Sequence, residues 1–246
     1  MSEIYEERIV VYIDILGWSQ ACLHDQEVRL VNAVKLIHDT AKDYSAFTKE
    51  RIGELTKRIG GQKNVLYETI QVGAFSDNII ISMPVAHGFR ALQSAGNIVI
   101  GLLQQGFLTR GGVAVGKLHH RDNIVFGPAL IKAVEIEKQA YFPRVICDDA
   151  VVQLLQGQED NVVEYVLTDA FGRKIVNPFV PVAKLQGQTI REFHNEVWHI
   201  PEIEALIEKR TIQLTSEGNS RHSEKWRYMR TTLTSMLKVL DEPGRF

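Results

Sequence analysis

The first strong hydrophobic pattern is a short run of β-branched and aromatic residues near the start of the chain. Residues 9–15 read IVVYIDI, without the alternation of polar and apolar positions that marks a strand with one solvated face. Such a run predicts a strand that is buried on both faces of its sheet. Leu16, Gly17, Trp18 and Ser19 follow and break the strand.

Helical spacing begins soon afterwards. Apolar residues recur every three or four positions between about residues 26 and 57, which predicts one or two helices there. The face expected to be buried consists of Val28, Val31, Val34, Ile37 and Ala41. A polar, glycine-containing loop at residues 60–64 ends this region.

A hairpin signal comes next. Residues 66–75 and 78–83 are both strand-like, and only Ser76 and Asp77 separate them. Two strand-like runs with a two-residue connection predict a β-hairpin. Pro84 ends the second strand because proline has no amide hydrogen to donate to a neighbouring strand.

The remaining pattern alternates short strands with longer helices. Residues 108–118 form a glycine-rich strand, and missing side chains in a strand indicate close approach of another backbone or a ligand. The order of elements favours an α+β fold, a mixed sheet covered by helices, over a doubly wound parallel sheet. Further elements are expected at 87–105 (helix), 123–126 (strand), 129–140 (helix), 144–147 (strand), 150–155 (helix), 202–214 (helix) and 221–240 (helix). We expect residues 1–156 to form the core, and residues 157–246 to form a C-terminal β and helical extension packed on it.

Composition narrows the classes of function. The chain has 246 residues, 45% of them hydrophobic, and a formal net charge of −2. Without a global basic field, binding to nucleic acid or to an anionic membrane is not expected. Cys22 and Cys147 are the two cysteines, which argues against a disulfide framework and for a reducing compartment, with a single disulfide as the alternative. No signal peptide or stretch of about 18 apolar residues is present, so we expect a cytoplasmic protein without a membrane span.

Two aspartates are the strongest candidates for chemistry. Asp14 interrupts a strongly apolar strand and Asp77 lies at the hairpin tip; taken singly, each is also an ordinary strand-end or turn residue. If the first strand lies beside the hairpin, the two carboxylates meet at one edge of the sheet. Such a pair suits Mg²⁺, which binds one or two carboxylates together with substrate phosphates and water. The turn at 16–19 can then offer backbone amides to phosphate oxygens.

Five segments resemble motifs of class III nucleotidyl cyclase catalytic domains. DILGWS at 14–19 resembles the D-[IVL]-x-G-F-[ST] motif that opens these domains, and FSDNIII at 75–81 resembles their metal-binding hairpin, with Ser76 in place of the usual glycine. RGGVAVGK at 110–117 resembles their R-x-G-[IV]-x-x-G-x strand. FGPALIKA at 126–133 and PRVICD at 143–148 resemble the helix and the late strand that follow. The resemblance spans roughly residues 7–156 in the order of the family.

This resemblance implies a ferredoxin-like mixed sheet and a two-metal site. Asp14, Asp77 and the carbonyl of Ile15 would bind two Mg²⁺ or Mn²⁺ ions. The triphosphate would be bound by the backbone of Leu16, Gly17, Trp18 and Ser19 and by Lys117, for which a solvated lysine at a strand end is the alternative. Arg110 would be structural or lie at a subunit interface. Members of the family work as head-to-tail dimers, so a homodimer with composite sites is expected.

The chain departs from the pattern of this family at the residues that recognise the base and at the residues that stabilise the transition state. Gly73 stands where adenylate cyclases carry a base-reading lysine, and Ile124, with polar Asn123 beside it, stands where they carry the partner acid. The guanylate-specific replacements are absent too, so these weak base-pocket positions disfavour a purine. Ile131 and Glu135 replace the asparagine and the transition-state arginine of the next helix.

Pyrimidine cyclases of the Pycsar anti-phage systems show a similar compact pattern, including GPALIKA. That resemblance implies cyclic UMP, less readily cyclic CMP, made from the triphosphate (UTP favoured) with release of pyrophosphate. The product would be a second messenger in antiviral defence, read by a separate effector. Two alternatives remain: a catalytically degenerate domain that binds nucleotide or mediates dimerisation, and a purine cyclase with an atypical base pocket.

Three other motifs carry less weight. His119 and His120 are adjacent, and adjacent strand residues face opposite sides, so they do not chelate one ion. The basic, aromatic start of the helix at 221–240 could suggest nucleic acid, but an exposed or interfacial helix is favoured without a basic domain around it. The glycine-rich strand lacks the helix and the Lys-Ser/Thr ending of a P-loop.

Overall fold

A computed structural model describes residues 4–24, 28–39, 71–121, 124–157, 165–179 and 190–240. In these ranges the strands are β1 Glu6–Leu16, β2 Gln71–Phe75, β3 Asn78–Pro84, β4 Leu108–Arg121, β5 Ile124–Phe126, β6 Val145–Cys147, β7 Val166–Thr168 and β8 Lys174–Val176. The helices are α1 Trp18–His24, α2 28–39, α3 Gly88–Gln104, α4 Pro128–Lys138, α5 Asp149–Gln156, α6 Ile190–Trp198, α7 Ile200–Ser216 and α8 Ser220–Leu240. The bounds agree with the sequence patterns to within a few residues for most elements. The predicted loop at 60–64, the predicted strand start at 66–70 and the predicted helix beyond residue 39 lie outside the described residues.

One mixed sheet organises the molecule, in the order β2-β3-β1-β4-β6-β8-β7, with β5 paired to β4. The central strand β1 is antiparallel to both of its neighbours, β3 and β4. Strands β1 to β4 with their helices therefore have the β-α-β-β-α-β connectivity of a ferredoxin-like unit. Strand β6 then joins β4 in parallel. The predicted α+β class, a mixed sheet covered by helices, is confirmed.

Strand β1 is buried on both faces, as its unbroken apolar run predicted. Ile9, Val11 and Ile13 face one apolar layer, in which the interior residues of α3 lie. Val10 faces the opposite layer, formed chiefly by α4. Because side chains alternate along a strand, Asp14 lies on the same face as Val10, the face that α4 covers.

The glycines of β4 allow α4 to pack closely on that face. A Cβ atom on Gly112 would lie 2.2 Å from the carbonyl oxygen of Ala133 in α4, and one on Gly111 would lie 2.3 Å from that of Tyr12 in β1. No real side chain fits at such distances, so both positions require glycine. The close approach predicted from the glycine-rich strand is that of backbone, and it brings the end of α4 beside β1.

The buried face of helix α2 differs from the prediction. Val28, Val31 and Val34 are 76%, 62% and 53% exposed. Ile37 of the predicted face is buried, together with Ala33, and Leu30 and Leu36 pack against the same layer. The prediction was therefore right for Ile37 and wrong for the three valines, because this helix carries two apolar stripes at helical spacing and periodicity does not tell which one meets the sheet. Ala41, the last residue of the predicted face, lies outside the described residues.

The C-terminal segment continues the sheet and adds a helical layer. Strands β7 and β8 extend the sheet beyond β6. Helices α7 and α8 form an antiparallel pair whose apolar residues share a cluster with α3. That cluster includes Ile100, Leu103, Phe179, Ile203, Ile207, Trp226, Met229 and Leu233. Helix α8 was expected to be exposed or interfacial; its inner face is buried. Helix α6 was not predicted, because Pro178 and Pro181 made its surroundings look irregular.

No helix within the described part of the chain combines the length and the apolar character that crossing a bilayer requires.

Candidate functional site

The end of β1 and the tip of the β2–β3 hairpin meet at one edge of the sheet. Asp14 lies directly opposite Asn78 in the β1–β3 register. Beyond that pair, the amide of Ile15 donates a hydrogen bond of 2.8 Å to the carbonyl oxygen of Asp77. The two candidate carboxylates therefore lie on neighbouring segments, which the sequence predicts if the first strand lies beside the hairpin.

Ser76 shows why this hairpin usually carries glycine. Its φ is +57°, in the left-handed region that residues with a side chain rarely adopt. The two-residue loop Ser76–Asp77 thus connects β2 to β3 with Asp77 next to the first residue of β3, although Ser76 is in an unfavourable conformation. The motif that this segment resembles carries glycine here, and glycine adopts such a φ without a steric penalty.

Asp14 is neutralised within the chain by an arginine from β4. Arg110 is its partner in the β1–β4 register, and Arg110 Nε donates to Asp14 Oδ2 at 2.8 Å. Glu137 of α4 brings Oε1 within 2.5 Å of the same nitrogen. The single Nε–H is aligned on Asp14, so no donor among the described residues is aligned on Glu137 Oε1. One guanidinium thus lies between two carboxylates.

Electrostatics show that negative charge is in excess here. Burial raises the pKa of Glu137, nearby Asp14 raises it further, and Arg110 opposes both. Burial also raises the pKa of Tyr12. The negative charges of Glu137, Asp14 and Asp77 raise this pKa further, Glu137 having the largest effect of the three and Asp77 the smallest. All three carboxylates therefore act on one phenol. Such crowding of carboxylates around few cations is typical of sites that bind a cation or move a proton.

A hydrogen-bond chain orders the hairpin side of the site. The hydroxyl of Tyr12 donates to Asn78 Oδ1, and Asn78 Nδ2 donates to Asp77 Oδ1 at 2.9 Å. Asn78 is held by its neighbours, and it directs one donor at the carboxylate of Asp77. Asn78 lies within the segment 75–81 that resembles the metal-binding hairpin, but its side chain was not singled out from the sequence.

The donor set at this edge fits a hard divalent cation. Asp14 and Asp77 supply carboxylate oxygens from adjacent backbone segments, and the backbone of Ile15 lies between them. Among the described residues no group of three or more His, Cys, Asp or Glu side chains is arranged to hold a metal. The ligands beyond the two carboxylates would be a backbone carbonyl, substrate oxygens and water, which is the ordinary coordination of Mg²⁺.

The turn expected to hold phosphates follows immediately. Gly17 has φ of +80° and open space where a Cβ atom would lie, so a ligand can approach its backbone. Trp18 is only 9% exposed and its ring lies 5.4 Å from that of Phe107. Its side chain therefore packs in the core, and stacking on a base is excluded in this arrangement. Ser19 is exposed in the first turn of α1, and Leu16 is half-buried.

The remaining expected positions lie elsewhere in the chain. Lys117 pairs with Glu7, seven residues along β1 from Asp14, which is about 23 Å of extended strand. Ile124 pairs with Arg121 at the far end of β4 and is 58% exposed. Asn123 lies outside the described residues. A single chain therefore does not bring Lys117 or Ile124 to the two carboxylates.

Gly73 faces a histidine that the sequence did not single out for this role. A Cβ atom on Gly73 would lie 3.7 Å from His120 Nε2. His120 is 4% exposed, and its Nδ1 shares a hydrogen bond of 2.9 Å with Ser82 Oγ. Burial, with a further effect of Arg8, lowers the pKa of His120 to about 4, so the ring is neutral near pH 7. An uncharged imidazole therefore borders the space beside Gly73 and leaves room for a Cβ atom.

The helix positions that replace the family's asparagine and arginine point away from the carboxylates. Ile131 is 61% exposed, and Glu135 is exposed on the same outer side of α4. Glu137, two residues later, is the α4 residue that reaches the site. Glu137 lies on the face of α4 that packs against β4, and the comparison of motifs did not show this.

Comparison with known proteins gave matches in shape only. Neither a family model nor a curated protein sequence matches the chain. Solved structures that match include the guanylyl cyclase Cya2, with a TM-score of 0.47 and 9% identity over 76% of this chain and 98% of that one. The adenylyl cyclase CyaB from P. aeruginosa matches with a TM-score of 0.41 and 11% identity over 75% and 97%.

A bacterial light-regulated adenylyl cyclase matches with a TM-score of 0.44 and 14% identity over 73% of this chain. The chain spans 53% of the length of that protein. Identities and TM-scores this low do not transfer an activity or a substrate. The functional argument therefore depends on the residues of this chain.

Proposed function

We propose that this chain is a pyrimidine nucleotide cyclase that makes cyclic UMP, less readily cyclic CMP, from the triphosphate with release of pyrophosphate. The observation that carries the proposal is the meeting of Asp14 and Asp77 at one sheet edge, where Ile15 N donates to Asp77 O at 2.8 Å. Both residues lie in segments that resemble the opening motif and the metal-binding hairpin of class III nucleotidyl cyclases.

The reaction is an internal phosphoryl transfer. The ribose 3′-oxygen forms a bond to the α-phosphorus, and the bond between that phosphorus and the β-phosphate bridging oxygen breaks. Positioning and charge stabilisation supply most of the rate in such reactions. Two Mg²⁺ or Mn²⁺ ions, held by Asp14, Asp77 and the Ile15 carbonyl, would lower the pKa of the attacking hydroxyl and neutralise the leaving pyrophosphate. The described residues offer no evident side-chain base, so the hydroxyl proton is released to water.

A composite site in a homodimer accounts for the separation of the expected residues. Ile124 lies at the far end of β4 from Asp14 and Asp77, and Lys117 lies opposite Glu7. One chain would contribute the carboxylates and a second copy would contribute the base-reading end. A two-fold arrangement gives two equivalent sites of this kind.

The base is proposed to be a pyrimidine because the purine-reading pair is absent. Gly73 and Ile124 carry no hydrogen-bonding side chain, and the neutral ring of His120 faces the space at Gly73. The preference for UTP over CTP and the role of the product in antiviral defence, with a separate effector, rest on the resemblance to Pycsar cyclases.

One observation favours a second candidate, a degenerate domain that binds nucleotide without turning it over. Arg110 Nε already forms a 2.8 Å hydrogen bond with Asp14 Oδ2. A metal ion at Asp14 would have to share that carboxylate with the guanidinium. A carboxylate has two oxygens and can do so, but the competition would weaken metal binding.

The deciding experiment is a substrate screen. Purified chain is incubated with each of the four nucleoside triphosphates in Mg²⁺ and separately in Mn²⁺, and the products are identified by mass. We expect cyclic UMP and pyrophosphate in equal amounts from UTP. A cyclic purine as the main product would refute the pyrimidine assignment alone. The absence of any cyclic product with either metal would refute the cyclase proposal and favour the second candidate, a degenerate domain that binds nucleotide.

A further inference from the structure

A pocket of about 410 Å³ lies between the phosphate-binding turn and the C-terminal helices. Leu16 and Gly17 line it together with residues of α7 and α8. The volume falls in the range of small-molecule sites. The described lining residues are Leu16, Gly17, Gln20, Ala21, Arg29, Gly106, Leu108, Arg210, Leu214, His222, Lys225 and Trp226.

Positive charge is concentrated in this pocket. Arg29, Arg210 and Lys225 line it together with His222, and none of the described lining residues is acidic. This is unusual for a chain whose formal net charge is −2. A cavity lined by one sign of charge focuses its field and attracts ligands of the opposite sign.

Neighbouring groups hold two of these cations in place. The guanidinium carbon of Arg29 lies 4.1 Å from the centroid of the Phe107 ring, a cation–π arrangement. Arg210 donates from Nη1 to Gln213 Oε1 at 3.2 Å. Restraints of this kind reduce the side-chain entropy that a ligand would otherwise have to offset.

Lys225 lines the pocket and also interacts electrostatically with Asp14. It is half-buried, and burial lowers its pKa, with Arg110 and Arg221 lowering it further and Asp14 opposing them. Lys225 is therefore within electrostatic reach of Asp14 and Arg110. A half-buried lysine among other cations is unfavourable unless an anion compensates it.

We propose that this pocket binds the polyphosphate chain of the nucleotide, and that Lys225 and Arg210 of the C-terminal helices are its principal cationic ligands. The inference rests on the proposed function for the identity of the nucleotide, but the pocket's charge stands without it. The C-terminal extension would thereby supply, within one chain, positive charge that Ile131 and Glu135 cannot supply from α4. The released pyrophosphate has the same chemistry and would bind in the same place.

Calorimetric titration of the full chain with sodium tripolyphosphate tests the proposal directly. The titration is made with and without Mg²⁺ on the wild type, on Lys225→Gln and on Arg210→Gln. A hydrogen bond to a charged group is worth about 1.5–3 kcal/mol, so each substitution should weaken binding by about ten-fold or more. Thermal unfolding of each variant shows that its fold is intact.

Lys209→Gln is the matched control. Lys209 adjoins Arg210 on α7, is exposed and does not line the pocket. It removes the same charge, so it should change tripolyphosphate affinity less than about two-fold through general electrostatics alone. Equal losses in all three variants, or no binding to the wild type, would overturn the pocket assignment.

Activity measurements separate the two proposals. If tripolyphosphate binds and Lys225→Gln weakens it, while no triphosphate is cyclised, the pocket stands and the cyclase proposal fails. If UTP is cyclised and both pocket variants keep the wild-type KM, the cyclase stands and the pocket assignment fails. With both proposals correct, the variants raise KM for UTP and Lys209→Gln does not.

Discussion

Two clusters of carboxylate and arginine differ in how completely their charges are paired. In the first, the side chain of Asp169 in the β7–β8 turn is 1% exposed and forms an ion pair with Arg144, just before β6. Its Oδ1 accepts the amides of Phe171 and Arg173 at 2.9 Å each, and its Oδ2 accepts the hydroxyl of Tyr228 at 2.8 Å. Burial raises the pKa of Asp169, but these hydrogen bonds outweigh burial and the net effect lowers it.

The second cluster, at the sheet edge, contains more acid than base. Arg110 alone serves Asp14 and Glu137, and Asp77 lies beside them. The pKa of Glu137 is raised by burial and by Asp14. The contrast teaches that both oxygens of the Asp169 carboxylate are satisfied, although Arg144 Nε has no hydrogen-bond partner among the described residues, and that this cluster joins the C-terminal helices to the sheet. The edge cluster has one arginine between two carboxylates, with Asp77 beside them, and the metal ion that we propose would compensate this excess of acid.

The largest expected effect comes from removing Asp77. Asp77→Ala should lower cyclase turnover by at least about 1,000-fold, since loss of one strong charge interaction in a phosphoryl-transfer site costs several kcal/mol of transition-state stabilisation. Unfolding free energy should change by less than about 1 kcal/mol, because the residue lies in a hairpin turn. Product mass spectrometry and thermal unfolding give both values.

A matched acid outside both clusters serves as the control for Asp77. Glu208 is 58% exposed and lies 3.7 Å from Arg230, so Glu208→Ala should change neither turnover nor stability by much. Substantial turnover in Asp77→Ala would remove that residue from the metal site and with it the interpretation of the edge cluster.

Removing Asp169 is expected to lower the stability of the fold, in contrast to removing Asp77. Asp169→Ala leaves buried Arg144 without its carboxylate, and breaking a buried ion pair from one side costs about 3–5 kcal/mol. Chemical denaturation should show this loss, whereas Glu208→Ala should lose at most about 1 kcal/mol. A loss below about 1 kcal/mol for Asp169→Ala would show that the two clusters do not differ as their hydrogen bonds indicate.

A smaller stability effect should follow from Tyr228→Phe. This change removes the hydroxyl that donates to Asp169 Oδ2 but keeps the ring, which is stacked 4.6 Å from that of Phe142. One hydrogen bond to a carboxylate is worth about 1.5 kcal/mol, so denaturation should show a loss of that order. A loss as large as that of Asp169→Ala would mean that the ring packing, not the hydroxyl, is what the variant disturbs.

Glu137→Gln should change the free energy of unfolding least, and it should raise this free energy where the other variants lower it. Removing one of the crowded charges should stabilise the fold by about 0.5–1 kcal/mol at pH 7. The native pKa of Glu137 is raised, so its charge destabilises the native state above that pKa, and the penalty disappears once the unfolded state is also protonated, below about pH 4.5. Denaturation at pH 7 and at pH 4 should therefore show a gain at pH 7 only. A destabilised variant at pH 7 would show that Glu137 is a fully paired structural residue.

The sequence by itself determined what depends on neighbouring residues in the chain. The unbroken run in β1, the two-residue loop at Ser76 and the glycines of β4 each specify a local conformation. The sequence predicted that Asp14 and Asp77 meet only if the first strand lies beside the hairpin, and the pairing of β1 with β3 in the structure meets that condition.

Only the tertiary structure decided which charges meet across elements. Helix α2 carries two apolar stripes, and its packing on the sheet buries Ala33 and Ile37 while the three valines stay exposed. The contacts of Arg110 with Asp14 and Glu137, and the electrostatic effect of Asp14 and Arg110 on Lys225, join residues that are tens to hundreds of positions apart. Local periodicity reports which face of an element is apolar, but the partner of that face, and of every charge on it, is fixed by how the elements pack together.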